Sequence, residues 1–224
     1  MPTSIKAYAR TCGLLYLAVT ILGVFSAMYV RGVVVIHGNP AATVASIAAH
    51  EPLWRAGILA NVFAGAFYIA VTLMLYVLLK PVDERLSLLA AFFSLVGCAT
   101  GAILPLEDYA LVAAPGNVDL AKLLMALHGP SYDVCLTFFG CYCALLGYLM
   151  LRSTFFPKFV GALLLLGGVC YVLNTALDFL APSFWLAFPF DITLISGIAE
   201  LVLTLWLLVA GVNEQRWIEA NSRA

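Results

Sequence analysis

The stretch DITLISGIAELVLTLWLLVAGV, residues 191–212, decides the kind of fold that this chain adopts. It is a nearly unbroken apolar run, long enough to cross a bilayer as a helix. One ionisable residue, Glu200, stands in its middle, about 15 Å from the start at a rise of roughly 1.5 Å per residue. A carboxyl group at that depth is costly unless it is protonated, paired or turned toward a polar cavity. Glu200 is therefore a functional-site hypothesis.

The composition of the whole chain supports the same class of fold. Hydrophobic residues make up 64% of the 224 residues and charged residues 10%, whereas soluble domains are roughly half apolar and a quarter charged. Little sequence remains outside the apolar runs, so we expect one all-α polytopic membrane bundle over residues 1–224. The six cysteines all fall in apolar runs without metal-ligand spacing, which is typical of small core residues. No basic patch occurs, which argues against nucleic-acid binding.

Apolar runs predict six transmembrane spans. Their expected bounds are about 11–30, 53–79, 86–105, 132–151, 159–180 and 191–212. An even number of spans puts both termini on one side of the membrane. Eight of the 11 Lys and Arg residues belong to that side, namely Lys6, Arg10, Lys80, Arg85, Arg152, Lys158, Arg216 and Arg223. Because Lys and Arg concentrate on the cytoplasmic side, we expect both termini in the cytoplasm.

Two short helices are expected on the outer side, where they would lie at the interface. Asn39 can cap the first, with Pro40 in its first turn. Asp119 can cap the second, which we expect to stop at Gly129–Pro130, and Ser131 can then cap the fourth span. Residues 213–224 are expected to form a short polar tail.

Polar side chains within and beside the spans fall almost entirely in the outer halves. Helical spacing puts them on stripes shared with small residues, and such stripes face protein rather than lipid. We therefore expect an outward-facing acidic cavity with Glu200 at its floor. The residues expected to bind a ligand there are Glu200, Asn61, Asp108, Asp133, Asn174, Asp178 and Tyr171. Two simpler interpretations stay open: Asp133 can complement a helix dipole, and Glu200 can be a protonated structural group.

A histidine and two acids form a candidate metal site. His128 lies just before the fourth span, within expected reach of Glu107 and Asp108. Imidazole and carboxylate groups are metal ligands, so a metal ion is a possible cofactor. A histidine that only packs or hydrogen bonds at the membrane border is the alternative. The sequence contains no metalloprotease, nucleotide-binding or hydrolase motif.

Several stretches of the chain resemble one known family. They are 76–82, 138–140, 147–153, 157–163, 167–171 and 200–211. The family is a bacterial six-helix membrane family known as domain of unknown function 4386, and the resemblance covers nearly the whole chain. It implies a protein of the bacterial inner membrane, and it matches a family glutamate to Glu200 and a family histidine to His128. Asn174 stands where the family has an acid, which weakens a ligand role for this residue.

The expected cavity contains more acids than bases, which favours protons, metal ions or organic cations over anions. The leading hypothesis is a membrane protein that binds or transports a small cation, a proton or an amphiphile. The first alternative is a metal-dependent intramembrane enzyme with Glu200 as acid or base. The second is a structural or regulatory subunit, whose polar stripes pair with each other, with a second copy of the chain or with a partner membrane protein.

Overall fold

The computed structural model describes residues 4–186 and 189–222. Within them the chain is helical and contains no β-strand. The helices are α1 (Ile5–Val24), a π-helical segment (Phe25–Val30), α2 (Arg31–Val34), α3 (Pro40–Ala49), α4 (Glu51–Leu79), α5 (Glu84–Gly101), α6 (Ile103–Ala113), α7 (Val118–Arg152), α8 (Lys158–Leu180), α9 (Pro182–Leu186), α10 (Thr193–Val209) and α11 (Glu214–Asn221). Arg223 lies outside the described residues.

Five helical stretches are long and apolar enough to cross a membrane. They are Ile5–Val34, Glu51–Leu79, Glu84–Ala113, Val118–Arg152 and Lys158–Leu180. A sixth apolar helix, α10, has 17 residues and a length of about 26 Å, and the chain bends by 99° between α10 and α11. The predicted class is confirmed: the chain is an all-α, polytopic membrane protein that resides in a lipid bilayer.

The two ends of the described chain lie at the same end of the bundle. Arg10 near the start of α1 donates to the carbonyl oxygen of Val209 at the end of α10, at 2.8 Å. Trp217 of α11 donates to the carbonyl oxygen of Leu78 at the end of α4, at 2.9 Å. We call this the terminal end and the opposite one the distal end. The α4–α5 and α7–α8 turns therefore lie at the terminal end.

The fourth span differs from the prediction. The expected helix stop at Gly129–Pro130 and the cap at Ser131 are wrong, because α7 is continuous through all three residues. Pro130 lacks an N–H group and removes one backbone hydrogen bond, but membrane helices tolerate this where neighbouring helices support them. Here α3 and α6 pack against α7. The helix begins at an N-cap formed by Asn117, not Asp119.

Other helix ends also extend beyond the predicted spans. The third span continues past a one-residue break at Ala102 to Ala113, so Glu107 and Asp108 lie on helix α6 and are buried. The expected polar tail contains the helix α11, which Asn213 caps. The predicted short helix after Asn39 is present as α3.

Glycines bring α7 and α8 into close contact. A Cβ atom added to Gly168 would lie 2.5 Å from the carbonyl oxygen of Gly140 and would overlap the backbone of Ala144. One added to Gly147 would overlap the backbone of Leu165. Small residues let membrane helices approach this closely. The polar side chains on the distal halves of α7 and α8 are consequently brought within hydrogen-bonding distance of one another.

Candidate functional site

Three tyrosines surround the carboxyl group of Glu200 in the bundle. Tyr16 of α1 donates to Oε2 at 2.6 Å, and Tyr171 of α8 donates to Oε1 at 2.8 Å. The hydroxyl of Tyr68, on α4, lies 3.4 Å from Oε2 and 3.1 Å from the hydroxyl of Tyr16. We call these four residues the Glu200 network. It joins α1, α4, α8 and α10.

The hydrogen bonds around Glu200 can support its carboxyl group in either protonation state. An ionised carboxylate only accepts, whereas each tyrosine has one proton to donate. Tyr16 and Tyr171 donate directly to Glu200, and Tyr68 can donate either to Oε2 or to the oxygen of Tyr16. All three protons can thus support a carboxylate. A protonated carboxyl group also fits, because the tyrosine oxygens have lone pairs that can accept its proton.

Aromatic rings enclose the network. Tyr68 packs edge-on against Tyr16 and Phe139, with ring centroids 5.4 and 4.8 Å apart. Tyr142 lies beside Tyr68 with a centroid distance of 6.1 Å. Its hydroxyl is buried and has no hydrogen-bond partner in the described part of the chain. A buried hydroxyl without a partner costs about 1–3 kcal/mol, so the polar groups around Glu200 are not fully satisfied.

Glu200 has no basic partner in the described part of the chain. The ion pairs among residues 4–186 and 189–222 join other acids, so hydroxyl groups alone support this carboxyl group. The rings of Phe139 and Tyr142 pack beside Tyr68 of the network. Two pockets, of about 340 and 310 Å³, lie near Trp206 at the terminal end.

A second polar group lies distal to the network, between α7 and α8. Asn174 donates to Oδ1 of Asp133 at 2.8 Å, and Thr175 donates to the carbonyl oxygen of Asp133 at 2.9 Å. Asp178 is close enough to Asp133 for the two carboxyl groups to interact directly. We call Asp133 and Asp178 the acid pair. Tyr171, Asn174 and Asp178 share one face of α8 at helical spacing, so polar groups continue from Glu200 toward the distal end.

The third polar group, which we call the distal cluster, contains one salt bridge and one acid that contacts a histidine. Its members are Arg31, Trp54, Glu107, Asp108, His128 and Ser131. Arg31 forms a salt bridge with Asp108 at 2.5 Å, and its guanidinium group lies 5.7 Å from the ring centroid of Trp54. The indole of Trp54 donates to the carbonyl oxygen of Asp108 at 3.0 Å. A buried acid and a partly exposed base thus neutralise each other.

Glu107 has different partners within the distal cluster. Nδ1 of His128 lies 3.2 Å from Oε2, and Ser131 donates to Oε1 at 2.6 Å. The three predicted metal ligands therefore do not converge on one point. His128 contacts Glu107, whereas Asp108 pairs with Arg31. Across the described residues, no three His, Cys, Asp or Glu side chains are arranged to hold a metal ion. The metal-site hypothesis gains no support from this geometry.

The predicted ligand-binding residues divide in the same way. Tyr171 contacts Glu200, whereas Asp133, Asn174 and Asp178 lie together beyond it. Asp108 belongs to the distal cluster. Asn61 lies two turns distal to Tyr68 on α4, and its side chain makes no hydrogen bond to a described residue. Six of these seven residues fall into three neighbouring groups, and Asn61 belongs to none of them.

Sequence reasoning missed Tyr16, Arg31, Trp54 and the role of Ser131. Tyr16 stands in an apolar first span, where a single tyrosine usually indicates packing or an interfacial anchor. A signal for Tyr68 existed, because it lies on the same helical stripe as Asn61. Arg31 directly follows a π-helical segment, and such segments often occur near functional sites. The sequence pattern gave no indication of this segment.

Comparison with known proteins identifies relatives without identifying an activity. The chain is 28% identical over 145 residues to an uncharacterized protein of Archaeoglobus fulgidus, covering 64% of this chain and 76% of the relative. No solved structure matches the chain. The model of the family described as a domain of unknown function, DUF4386, matches residues 11–211. This match includes the Glu200 network, the acid pair and the distal cluster, and the chain belongs to the DUF4386 family.

Proposed function

We propose that this membrane protein binds a proton or a small cation at Glu200, which the ion reaches from the distal end past the acid pair. The observation that carries the proposal is the environment of Glu200, whose carboxyl group accepts hydrogen bonds from tyrosines and has no basic partner among the described residues. A charge in a spanning helix without a countercharge is expensive and usually functional. A proton or a bound cation would neutralise it.

The acid pair supports a path to this site. Asp133 and Asp178 bring two carboxyl groups together, and Asn174 supplies an amide rather than a positive charge. Two neighbouring carboxylates repel each other, so they favour a shared proton or a cation between them. One helical turn separates Asn174 from Tyr171, which donates to Glu200. These polar groups are acids or neutral side chains, so none of them would repel an entering cation.

The aromatic rings favour particular cations. Tyrosine and phenylalanine faces attract organic ammonium ions as well as metal cations. The hydroxyl of Tyr68 lies beside the carboxyl group of Glu200, and the ring of Phe139 packs against Tyr68. A compact monovalent cation, including a small organic amine, fits this chemistry better than a divalent metal, because only one carboxyl group is available.

Replacing Glu200 tests the proposal. We expect the thermal unfolding midpoint of the purified wild-type protein to depend on pH and on added sodium, potassium or tetramethylammonium ions. Glu200→Gln keeps the size of the side chain but removes its charge, so the dependence on added cations should disappear and the dependence on pH should decrease. Glu219→Gln, at an exposed acid of α11, should respond as the wild type does. A Glu200→Gln protein that keeps the full response to cations would rule the proposal out.

A second candidate function follows from the same hydrogen bonds. The Glu200 network links four helices, so it could serve only to hold a structural or regulatory subunit together, with a second copy or another membrane protein as its partner. This candidate predicts that Glu200→Gln lowers the unfolding midpoint while neither protein responds to cations. The metal-dependent enzyme is the least supported hypothesis, because the predicted metal ligands pair separately.

We further propose that the protein resides in a bacterial inner membrane with the terminal end in the cytoplasm. The support is the distribution of Lys and Arg, most of which belong to that end. A reporter that is active only in the cytoplasm, fused after Ala224, should be active. An inactive fusion together with an active periplasmic reporter would reverse the orientation.

A further inference from the structure

A pocket at the terminal end has the chemistry of an anion site. Its volume is about 340 Å³, and it lies between the start of α1, the α7–α8 turn and the connection from α10 to α11. Lys6 and Arg216 contribute the charged side chains of its lining, and no Asp or Glu of the described chain lines it. The pocket is remote from Glu200 and plays no part in the function proposed above.

The two cations of this pocket are not neutralised. Arg216 donates to the carbonyl oxygen of Thr154 at 3.1 Å, and neither Arg216 nor Lys6 has a carboxylate partner among the described residues. Arg10 lies nearby, where it donates to the carbonyl oxygen of Val209. The local charge is therefore positive. Basic pockets between membrane helices on the cytoplasmic side are a recognised place for acidic lipid headgroups.

The pocket also contains an unsatisfied donor. Trp206 lines it, and the indole Nε1 atom of this residue is buried without a hydrogen-bond partner in the described chain. Buried N–H groups nearly always find an acceptor. Tryptophan at a membrane interface combines an apolar ring with a polar N–H group. Trp206 therefore gives the pocket an aromatic wall of the kind found at membrane interfaces.

A second pocket continues from the first along α10. Its volume is about 310 Å³, and it shares Trp206 and Ala210 with the charged pocket. The rest of its lining is Val202, Leu205 and Val209, all apolar. Val209 is 69% exposed, and Leu205 is 46% exposed. These side chains face the surroundings of the bundle, so the groove opens to the hydrocarbon of the bilayer.

We infer that the two pockets together form a binding site for an anionic phospholipid, with its phosphate beside Lys6 and Arg216 and one acyl chain along Trp206 and Val209. The charge of the first pocket selects an anion, and the apolar groove that continues from it selects an acyl chain. A free phosphate would use only the first pocket. A zwitterionic lipid would use the groove but would bring its own positive charge toward the two cations.

Lipid binding to the purified full-length protein tests this inference. The probes are phosphatidylglycerol, phosphatidylcholine and inorganic phosphate, each added to protein in a neutral detergent. The readouts are the thermal unfolding midpoint and the number of lipids retained in native mass spectrometry. Lys6→Gln/Arg216→Gln removes the proposed phosphate contacts, and Lys80→Gln/Arg85→Gln removes the same charge from the same side of the membrane outside the pocket.

We expect phosphatidylglycerol to raise the midpoint of the wild-type and Lys80→Gln/Arg85→Gln proteins, whereas phosphatidylcholine and inorganic phosphate should not. Each cation removed from the pocket should weaken phosphatidylglycerol binding by roughly fivefold. The effect of removing one cation is measured with Lys6→Gln alone. Arg216→Gln would also remove the hydrogen bond to the carbonyl oxygen of Thr154. Ala210→Leu, which fills the shared wall, should weaken phosphatidylglycerol without changing the charge.

Three results would overturn the inference. Equal loss of phosphatidylglycerol binding in both double variants would show a general charge effect. Equal binding of phosphatidylcholine and phosphatidylglycerol would show that the headgroup is not recognised. Stabilisation by inorganic phosphate equal to that by phosphatidylglycerol would identify a free-anion site without a lipid.

Discussion

The Glu200 network and the distal cluster accommodate buried acids in two different ways. In the distal cluster, Asp108 faces Arg31 and Glu107 faces His128, so each acid has a base within hydrogen-bonding distance. Glu200 is held only by tyrosine hydroxyls. An acid whose fixed partner is a permanent cation, as Arg31 is for Asp108, has its charge already matched. An acid held by neutral donors keeps a charge that a proton or cation can neutralise.

On our proposal, a binding role belongs to the acid without a basic partner, and depth in the membrane is the weaker guide. The distal cluster is near an end of the bundle, and its charges suggest a site from the sequence alone. Its groups are nevertheless occupied by one another. The tyrosines around Glu200 carry no formal charge. They hydrogen bond to its carboxyl group without neutralising it. We therefore expect mutations in the two regions to lower the free energy of unfolding by different amounts.

The largest effect is expected from Asp108→Ala. The side chains of Arg31 and Asp108 are 19% and 7% exposed, so this change leaves a largely buried guanidinium group without its partner. Loss of one member of a buried pair should lower the free energy of unfolding by about 3–5 kcal/mol. The double variant Arg31→Met/Asp108→Leu should recover most of it. Chemical denaturation in micelles measures the change, with Asp119→Ala as an exposed control. A loss equal to that of the control would mean that solvent screens the pair.

A smaller effect is expected from Tyr16→Phe. This change removes one of the donors to Glu200 while Tyr171 and Tyr68 remain. Loss of a hydrogen bond to a charged group should lower the free energy of unfolding by about 1.5–3 kcal/mol. Tyr29→Phe, at an exposed tyrosine of the same span, is the matched control and should be neutral. If Glu200→Gln abolished the effect of Tyr16→Phe in a double-mutant cycle, the bond to the charged carboxyl group would be confirmed as its cause.

The smallest effect is expected from Arg55→Ala. Arg55 and Glu51 form a salt bridge at 2.7 Å, but both side chains are about half exposed. Solvent screens such pairs, so the thermal unfolding midpoint should not change measurably. A clear destabilisation would show that short distance alone makes an ion pair important in this protein, and it would weaken the distinction between the two buried regions.

The sequence was sufficient for the fold class, and it drew attention to several residues of the candidate site. Apolar runs of this length must form helices in lipid, because every backbone polar group needs a partner within its own segment. Glu200 stood out because a carboxyl group in such a run is rare. Local capping chemistry also predicted α3 from Asn39 and Pro40. The same local rules failed at Pro130, where contacts with α3 and α6 keep α7 continuous.

The sequence by itself thus determined a helical membrane protein with an acid in the middle of its last span. Only the tertiary structure decided which acids are paired. Tyr16 is 184 positions away from Glu200, and Arg31 is 77 positions away from Asp108. Such pairings depend on which helix faces meet, and packing across the bundle sets this, including the close approach of α7 and α8 at their glycines. Periodicity places a residue on a face of its own helix, but it carries no information about the residue opposite.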